Sequence, residues 1–161
     1  MAERKVKQPR VLVVTGSASD LGEVEKLKPL LERFGLSYRI EVASAHRQPA
    51  RLHRILKKAE QGGTEVFIAA AGMAAHLPGV VASLTDKPVI GVPLASGPLA
   101  GFDALMSIVQ MPPGVPVATV AVGGAGARNA AVLAARILAL KDPRVAAALA
   151  EYRRELARGG R

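Results

Sequence analysis

Five short apolar runs alternate with stretches whose apolar residues recur at helical spacing, and this alternation constrains the chain more than any other feature. Val11-Leu12-Val13-Val14 is continuous and apolar and ends in Thr15-Gly16-Ser17, as a buried parallel strand and its turn would. Further strands are expected at 36–43, at Val66–Ala70, at 88–92 and from Pro116 to Val122. Residues 20–34 carry Leu21, Val24, Leu27, Leu30, Leu31 and Phe34 at helical spacing, and Gly35 stops them. Helices are also expected from Pro49 to Gln61, from His76 to Leu84, near 101–109, over 126–140 and from Pro143 to Ala157. Strands that alternate with helices imply a parallel sheet with helices on both faces. Right-handed crossovers bring every strand C-terminus to one edge, where ligands of such sheets bind.

The chain has 161 residues, a length that suits one domain. Half of them are hydrophobic but only five are aromatic, so Ala, Val, Leu and Gly must fill the core. A mean hydropathy of +0.23 is more apolar than one small domain can hide, which points to an oligomer. There is no cysteine, so disulfides, Cys-based metal centres and thiol nucleophiles are excluded. Three dispersed histidines, without HxxxH or HxH spacing, argue against a metal site. His53 lies among Arg51, Arg54, Lys57 and Lys58 and is assigned to a solvated face. The net charge is +9, of which +3 falls in residues 1–10 and +3 in residues 141–161. Excess charge in two tails, with few aromatics for stacking, disfavours nucleic-acid binding. Residues 104–127 are uncharged, but Pro112, Pro113 and Pro116 break any membrane-spanning helix there. The charged N-terminal segment lacks the apolar stretch of a signal peptide, and a soluble cytoplasmic protein is expected.

Chemistry is therefore sought at the strand ends. Gly16-Ser17-Ala18-Ser19-Asp20 offers hydroxyls and backbone N–H groups suited to phosphate, although Ser19 or Asp20 could instead only cap a helix. It is neither a Walker loop nor a dinucleotide fingerprint. Ser44-Ala45-His46-Arg47-Gln48-Pro49 ends the second strand. It places a candidate general acid/base, His46, beside a phosphate-pairing Arg47. Ala71-Gly72-Met73-Ala74-Ala75-His76-Leu77-Pro78-Gly79 ends the third strand. Its small residues let a ligand approach the backbone, while His76 lines that pocket or caps the next helix.

Together, GSASD, SAHRQP, GMAAHLPG and SIVQMPPGVPVATVAVGGAGARNAAVLAARIL resemble the PurE family, the small catalytic subunit of phosphoribosylaminoimidazole carboxylase. In most bacteria its members are 5-(carboxyamino)imidazole ribonucleotide mutases of purine biosynthesis. The resemblance covers residues 10–140. It implies a three-layer flavodoxin-like α/β sandwich, a homo-octamer with sites between subunits, and a reaction without metal or organic cofactor. In that reaction the carboxylate moves from the exocyclic nitrogen to ring carbon C4, by loss and recapture of CO2. By motif, His46 is then the proton shuttle. Ser17 and Ser19 contact the phosphate, Asp20 holds the ribose hydroxyls, Ser44 and Arg47 complete the phosphate cradle, and Ala45 between them also binds substrate. Gly72, Ala74, Ala75, His76 and Leu77 shape the pocket for the base and CO2.

The chain departs from the usual motifs at Thr15 (usually Met), Gln48 (usually Thr) and Met73 (usually Gly). The first two look peripheral, and Met73 narrows a loop that meets substrate. A related branch, aminoimidazole ribonucleotide carboxylase, has Lys after the motif His and lacks GAAHLPG. Arg47 and AAHLPG place this chain with the mutases. A non-catalytic binder of phosphate ligands is the reading from another class, and His46 beside Ser17, Asp20 and Arg47 speaks against it. The implied organisation is a basic tail over 1–9, one catalytic α/β domain over 10–140 and a C-terminal helix over 141–161. The apolar stripe Val145, Leu149, Tyr152 and Leu156 is expected to pack on a neighbouring subunit. A functional link to the ATP-dependent synthetase that makes the carboxyamino substrate also follows.

Overall fold

The computed structural model describes residues 9–160, so the tail expected over 1–9 lies, apart from Pro9, outside them. Five parallel strands form one sheet in the order β2-β1-β3-β4-β5. They are β1 (Val11–Thr15), β2 (Tyr38–Val42), β3 (Val66–Gly72), β4 (Val89–Leu94) and β5 (Ala118–Thr119). Alternation within the strands divides the core. Val11, Val13, Val66, Ile68, Ala70, Ile90 and Val92 point into one buried cluster, and Leu12, Val14, Phe67, Ala69 and Ala71 into the other. The first cluster is closed by α1 (Leu21–Val24), α2 (Lys28–Arg33), α6 (Gly123–Ala139) and α7 (Pro143–Ala157). The second is closed by α3 (Pro49–Gln61), α4 (Leu77–Ala82) and α5 (Phe102–Val109). The result is the three-layer, flavodoxin-like sandwich, with its crossing point between β1 and β3.

Three elements differ from the sequence reading. The stretch 20–34 is not one helix: a 3-10 turn at Ala18–Asp20, α1, a second 3-10 turn at Glu25–Leu27 and α2 follow one another. Pro29 is the physical reason, since it has no N–H to donate and is tolerated only in the first turn of a helix. The strand expected over 116–122 pairs only at Ala118–Thr119, with one more bond from Val120 N–H to the Gly91 carbonyl, 3.1 Å. Pro116 cannot donate, and the chain must turn into α6 at Gly123. Helix α6 begins three residues before the expected start, through glycines of low helix propensity. A Cβ on Gly126 would fall within contact distance of the Ala121 carbonyl, so close packing selects glycine here.

The terminal stripe is satisfied within its own chain. Val145 and Leu149 are buried in the first core cluster, and Tyr152 stacks edge-on against Phe34 with ring centroids 5.5 Å apart. Arg33 lies over the same Tyr152 ring, 5.0 Å from its centre, and bonds Glu155. Three of the four stripe residues thus pack within their own chain. Helix α6 presents an apolar ridge of alanines, and α7 covers it; Leu156 alone remains exposed. Asp142 caps α7 by accepting from Arg144 N–H, 3.1 Å, as its Asp-Pro start suggests.

One ion cluster ties the sheet to this helix. Arg10 donates to Glu65 at 2.8 Å and to Asp142 at 2.7 Å, and Lys141 reaches Glu65 at 2.9 Å. Burial pushes the Glu65 carboxyl up, but hydrogen bonds from Arg10 and Lys141 outweigh it and hold the group below its ordinary 4.5. Asp142 is likewise lowered: desolvation opposes the shift, and the Arg10 bond and the capped backbone overcome it. Lowered carboxylates contribute stability above their unfolded values and lose it as pH falls through the folded ones. The stability difference between wild type and Arg10→Ala is therefore expected to be full at pH 7 and to shrink below about pH 4.5. Urea unfolding at pH 7 and pH 3 checks this, and an equal difference at both would contradict it. Gly126→Ala is expected to cost about 3 kcal/mol, read by the same unfolding curves, because backbone must move.

Candidate active site

Strands β1 and β2 end together, Thr15 level with Val42, and β3, level with Thr15 at Ala70, runs on two residues beside β4 to Gly72. Their three following turns enclose a cleft of about 510 Å³. Every residue nominated from the sequence lines it: Ser17, Ser19, Asp20, Ser44, Ala45, His46, Arg47, Gly72, Ala74, Ala75, His76 and Leu77. A second hollow, of about 470 Å³, lies at the opposite ends of β4 and β5 around Thr85, Asp86 and Lys87, away from all of these motifs.

The first turn is wound on Ser17. Its Oγ accepts from Ser19 N–H at 3.3 Å and from Ser19 Oγ at 2.8 Å, and its carbonyl accepts from Asp20 N–H at 3.2 Å. Ser17 is thus the cap of the short 3-10 turn. Asp20 makes no side-chain capping bond, so the helix-cap reading of its carboxylate is set aside. Thr15 reaches Asp20 instead: the fully buried Thr15 donates from Oγ1 to Asp20 Oδ2 at 3.2 Å. A position that looks peripheral in the sequence therefore orients a site carboxylate. Methionine, the usual residue there, has no hydroxyl to do so.

The second turn is joined to the first by Arg47. Its backbone N–H donates to Ser44 Oγ at 3.2 Å, and its guanidinium donates to the Gly16 carbonyl at 3.3 Å. Ser44 is buried at the end of the strand. Ser17, Ser19 and Ser44 hydroxyls with the exposed Arg47 guanidinium make a donor-rich wall suited to a phosphate.

The third turn brings a histidine to the second. His46 Nε2 and His76 Nδ1 are 2.7 Å apart, and the rings meet edge-on with centroids 4.8 Å apart. His76 makes no side-chain cap bond to α4, so it belongs to the cleft rather than to the helix end. A contact of that length holds one proton between two nitrogens, one ring donating and the other accepting. Two signals escaped the sequence reading. Ser96, after β4, lines the cleft and crowds Gly72: a Cβ on Gly72 would lie 2.5 Å from the Ser96 side chain. The turn also has left-handed backbone at Met73 (φ 54°) and Ala75 (φ 41°). Glycine is the easy residue at such a φ, and Met73 occupies it at a conformational cost of about 1 kcal/mol. Its side chain is 58% exposed and leans toward Gly97. Among the described residues no three His, Cys, Asp or Glu side chains group closely enough to hold a metal ion.

Residues 10–159 match the family model described as AIR carboxylase. The chain belongs to the AIR carboxylase family. A Pyrococcus abyssi protein named N5-carboxyaminoimidazole ribonucleotide mutase is 52% identical over 154 residues, covering 96% of this chain and 87% of that protein. A Thermotoga maritima protein of the same name is 52% identical over 150 residues, covering 93% and 86%. The crystal structure of Treponema denticola PurE superposes with a TM-score of 0.85 at 33% identity, covering 92% of each chain. These likenesses run through the whole sheet and α7, beyond the 10–140 core in which the sequence motifs lie.

Two measurements test the site's architecture. Thr15→Val keeps the shape but removes the donor to Asp20; KM is expected to rise about threefold to tenfold with little change in kcat. An unchanged KM would separate Thr15 from the site. In imidazole ¹⁵N spectra, His46 Nε2 and Nδ1 are expected to hold one tautomer in the wild type and to mix tautomers in His76→Ala. Identical spectra would contradict the shared proton.

Proposed function

We propose that this chain is a 5-(carboxyamino)imidazole ribonucleotide mutase. The observation that carries the reading is His46, set at the end of β2 between a phosphate-suited wall and a pocket of small residues. Ser17, Ser19, Ser44 and Arg47 hold the substrate phosphate, and Asp20, oriented by Thr15, accepts from the ribose hydroxyls. The imidazole then lies toward Gly72, Ala74, Ala75, His76 and Leu77.

The chemistry follows from this placement. The bond between the exocyclic nitrogen and the carboxylate carbon breaks, its electron pair returns to nitrogen, and nitrogen takes a proton from His46. CO2 stays beside the alanine- and glycine-rich turn, whose small residues leave it room. Ring carbon C4 adds to it, and the C4 proton returns to His46. Atoms and charge balance: the carboxylate and one proton have exchanged places. The His46–His76 contact supports this role, since the second imidazole offers the shuttled proton a hydrogen-bonded acceptor within reach.

The assembly is proposed on the same footing. Phe102, Met106 and Val109 form an exposed stripe along α5, with Leu99 before it; Phe102 is 66% exposed. In sequence this face follows Ser96, which lines the cleft. Covering it with further copies, as in a homo-octamer, would bury the apolar excess and close the site. Among the described residues no helix is long and apolar enough to cross a membrane. A cytoplasmic enzyme receiving its labile substrate from an ATP-dependent synthetase fits this reading.

An absorbance assay for the C4-carboxylated product tests the function, with the carboxyamino ribonucleotide as one substrate and aminoimidazole ribonucleotide plus bicarbonate as the other. Fast turnover of the first is expected, with His46→Asn lowering it at least about 10²-fold. Activity only with aminoimidazole and high bicarbonate would assign the carboxylase reaction instead. Light scattering is expected to show an octamer for the wild type and smaller species for Phe102→Glu; a monomeric wild type would overturn the assembly.

A further inference from the structure

Helix α3 carries a feature that the reaction itself does not use. Within α3, Arg51, Arg54 and Lys58 follow one another at intervals of three and four residues, which is one face of a helix, and Arg47 lies in the turn just before it at the cleft. All four are exposed. Arg51, Arg54 and Lys58 line a shallow hollow of about 300 Å³ with Arg39 and Glu41 of the neighbouring edge strand β2. Glu41 is the one carboxylate of that hollow. It lies 3.0 Å from Arg39 Nε and 3.5 Å from Arg51 Nη2, so four cations face one anion. Arg54 and Lys58 have no ion-pair partner within it. A helix rises about 1.5 Å per residue, so the row from Arg51 to Lys58 runs about 10 Å along the surface and leads to Arg47.

We propose that this row is an electrostatic approach lane, which draws the anionic ribonucleotide along α3 and delivers its phosphate to Arg47. The proposal rests on the mutase reading for the identity of the ligand, which carries a phosphate and a carboxylate. A concave strip of one charge raises the local concentration of oppositely charged ligand and its rate of capture, and salt screens the effect. The row starts in the first turn of α3, four residues after Arg47, and its cations outnumber the one carboxylate of the hollow, which distinguishes it from the mixed charges of a solvated face. The lane acts before chemistry, so it belongs to capture and not to turnover.

The test compares the wild type with Arg54→Gln/Lys58→Gln from 10 to 300 mM salt. Both residues are exposed and lie outside the cleft, and single Lys58→Gln serves if the pair folds poorly. The variant is expected to keep kcat and to lose about fivefold in kcat/KM at 10 mM salt, converging with the wild type at 300 mM. Affinity for inorganic phosphate, by titration calorimetry, reads the same field without chemistry and is expected to fall about threefold at low salt only. Equal kcat/KM and equal phosphate affinity across the series, or a loss independent of salt, would overturn the lane. A wild type that binds phosphate with this salt-dependent difference but turns over neither ribonucleotide would overturn the mutase reading and leave the lane standing.

Discussion

The parallel register of β1 with both of its neighbours is the constraint on which the site depends. Because Thr15 is level with Val42 and with Ala70, β1 and β2 leave the sheet at one height and β3 two residues further on, so their turns lie side by side at one edge. Hydrogen bonding carries this across the edge: Ala43 N–H donates to the Thr15 carbonyl at 2.8 Å, continuing the ladder into the second turn. Slipping the register by one residue would send Val11 and Val13 to the wrong core and would move the Ser17 turn away from Arg47. The fully buried sides of β1 and β3 resist that slip, since each displaced Val or Ile would lose about 1.5–3 kcal/mol of burial.

On that rigid edge the turns hold one another. Arg47 bridges the first two, the histidine pair joins the second to the third, and Thr15 supports Asp20 from below. The third turn is where the backbone is strained, at Met73 and Ala75, and where Ser96 presses on Gly72. Strained backbone next to a reacting ligand is common where the surrounding fold over-determines it. Here β3 and α4 fix both ends of the turn, so it presents small side chains and backbone to the ligand and leaves His76 directed at His46. Under the proposed reaction, rigid placement of His46 keeps the proton in place between the two half-reactions.

Much of this was legible in the sequence because strand runs and helical spacing are periodic signals. The β1–β3 strands, α3 and α7 stand where periodicity puts them, and the motifs at the strand ends converge on one cleft. What was not legible depends on tertiary contact. Pro29 divides an apparently continuous helix, and only packing shows that its turns stay in line. Gly123–Ala125 reads as loop by propensity, yet becomes the first turn of α6, and Gly126 lets that turn pass close to Ala121. The α7 stripe looks like an interface in sequence, but a ridge of alanines on its own chain receives it. Thr15 departs from the usual motif and Ser96 lies outside the motifs; their contributions come from a hydrogen bond and a close approach that spacing alone does not reveal.

The central claim is that carboxylate leaves nitrogen and reaches C4 without escaping the cleft between β1, β2 and β3. The direct measurement is turnover of substrate labelled with ¹³C in its carboxylate, in the presence of excess unlabelled bicarbonate, with the product read by mass. Retention of the label in the C4 carboxylate is the predicted result. Replacement of the label by unlabelled carbon, at the rate of product formation, would mean that CO2 is taken from solution and would contradict the account.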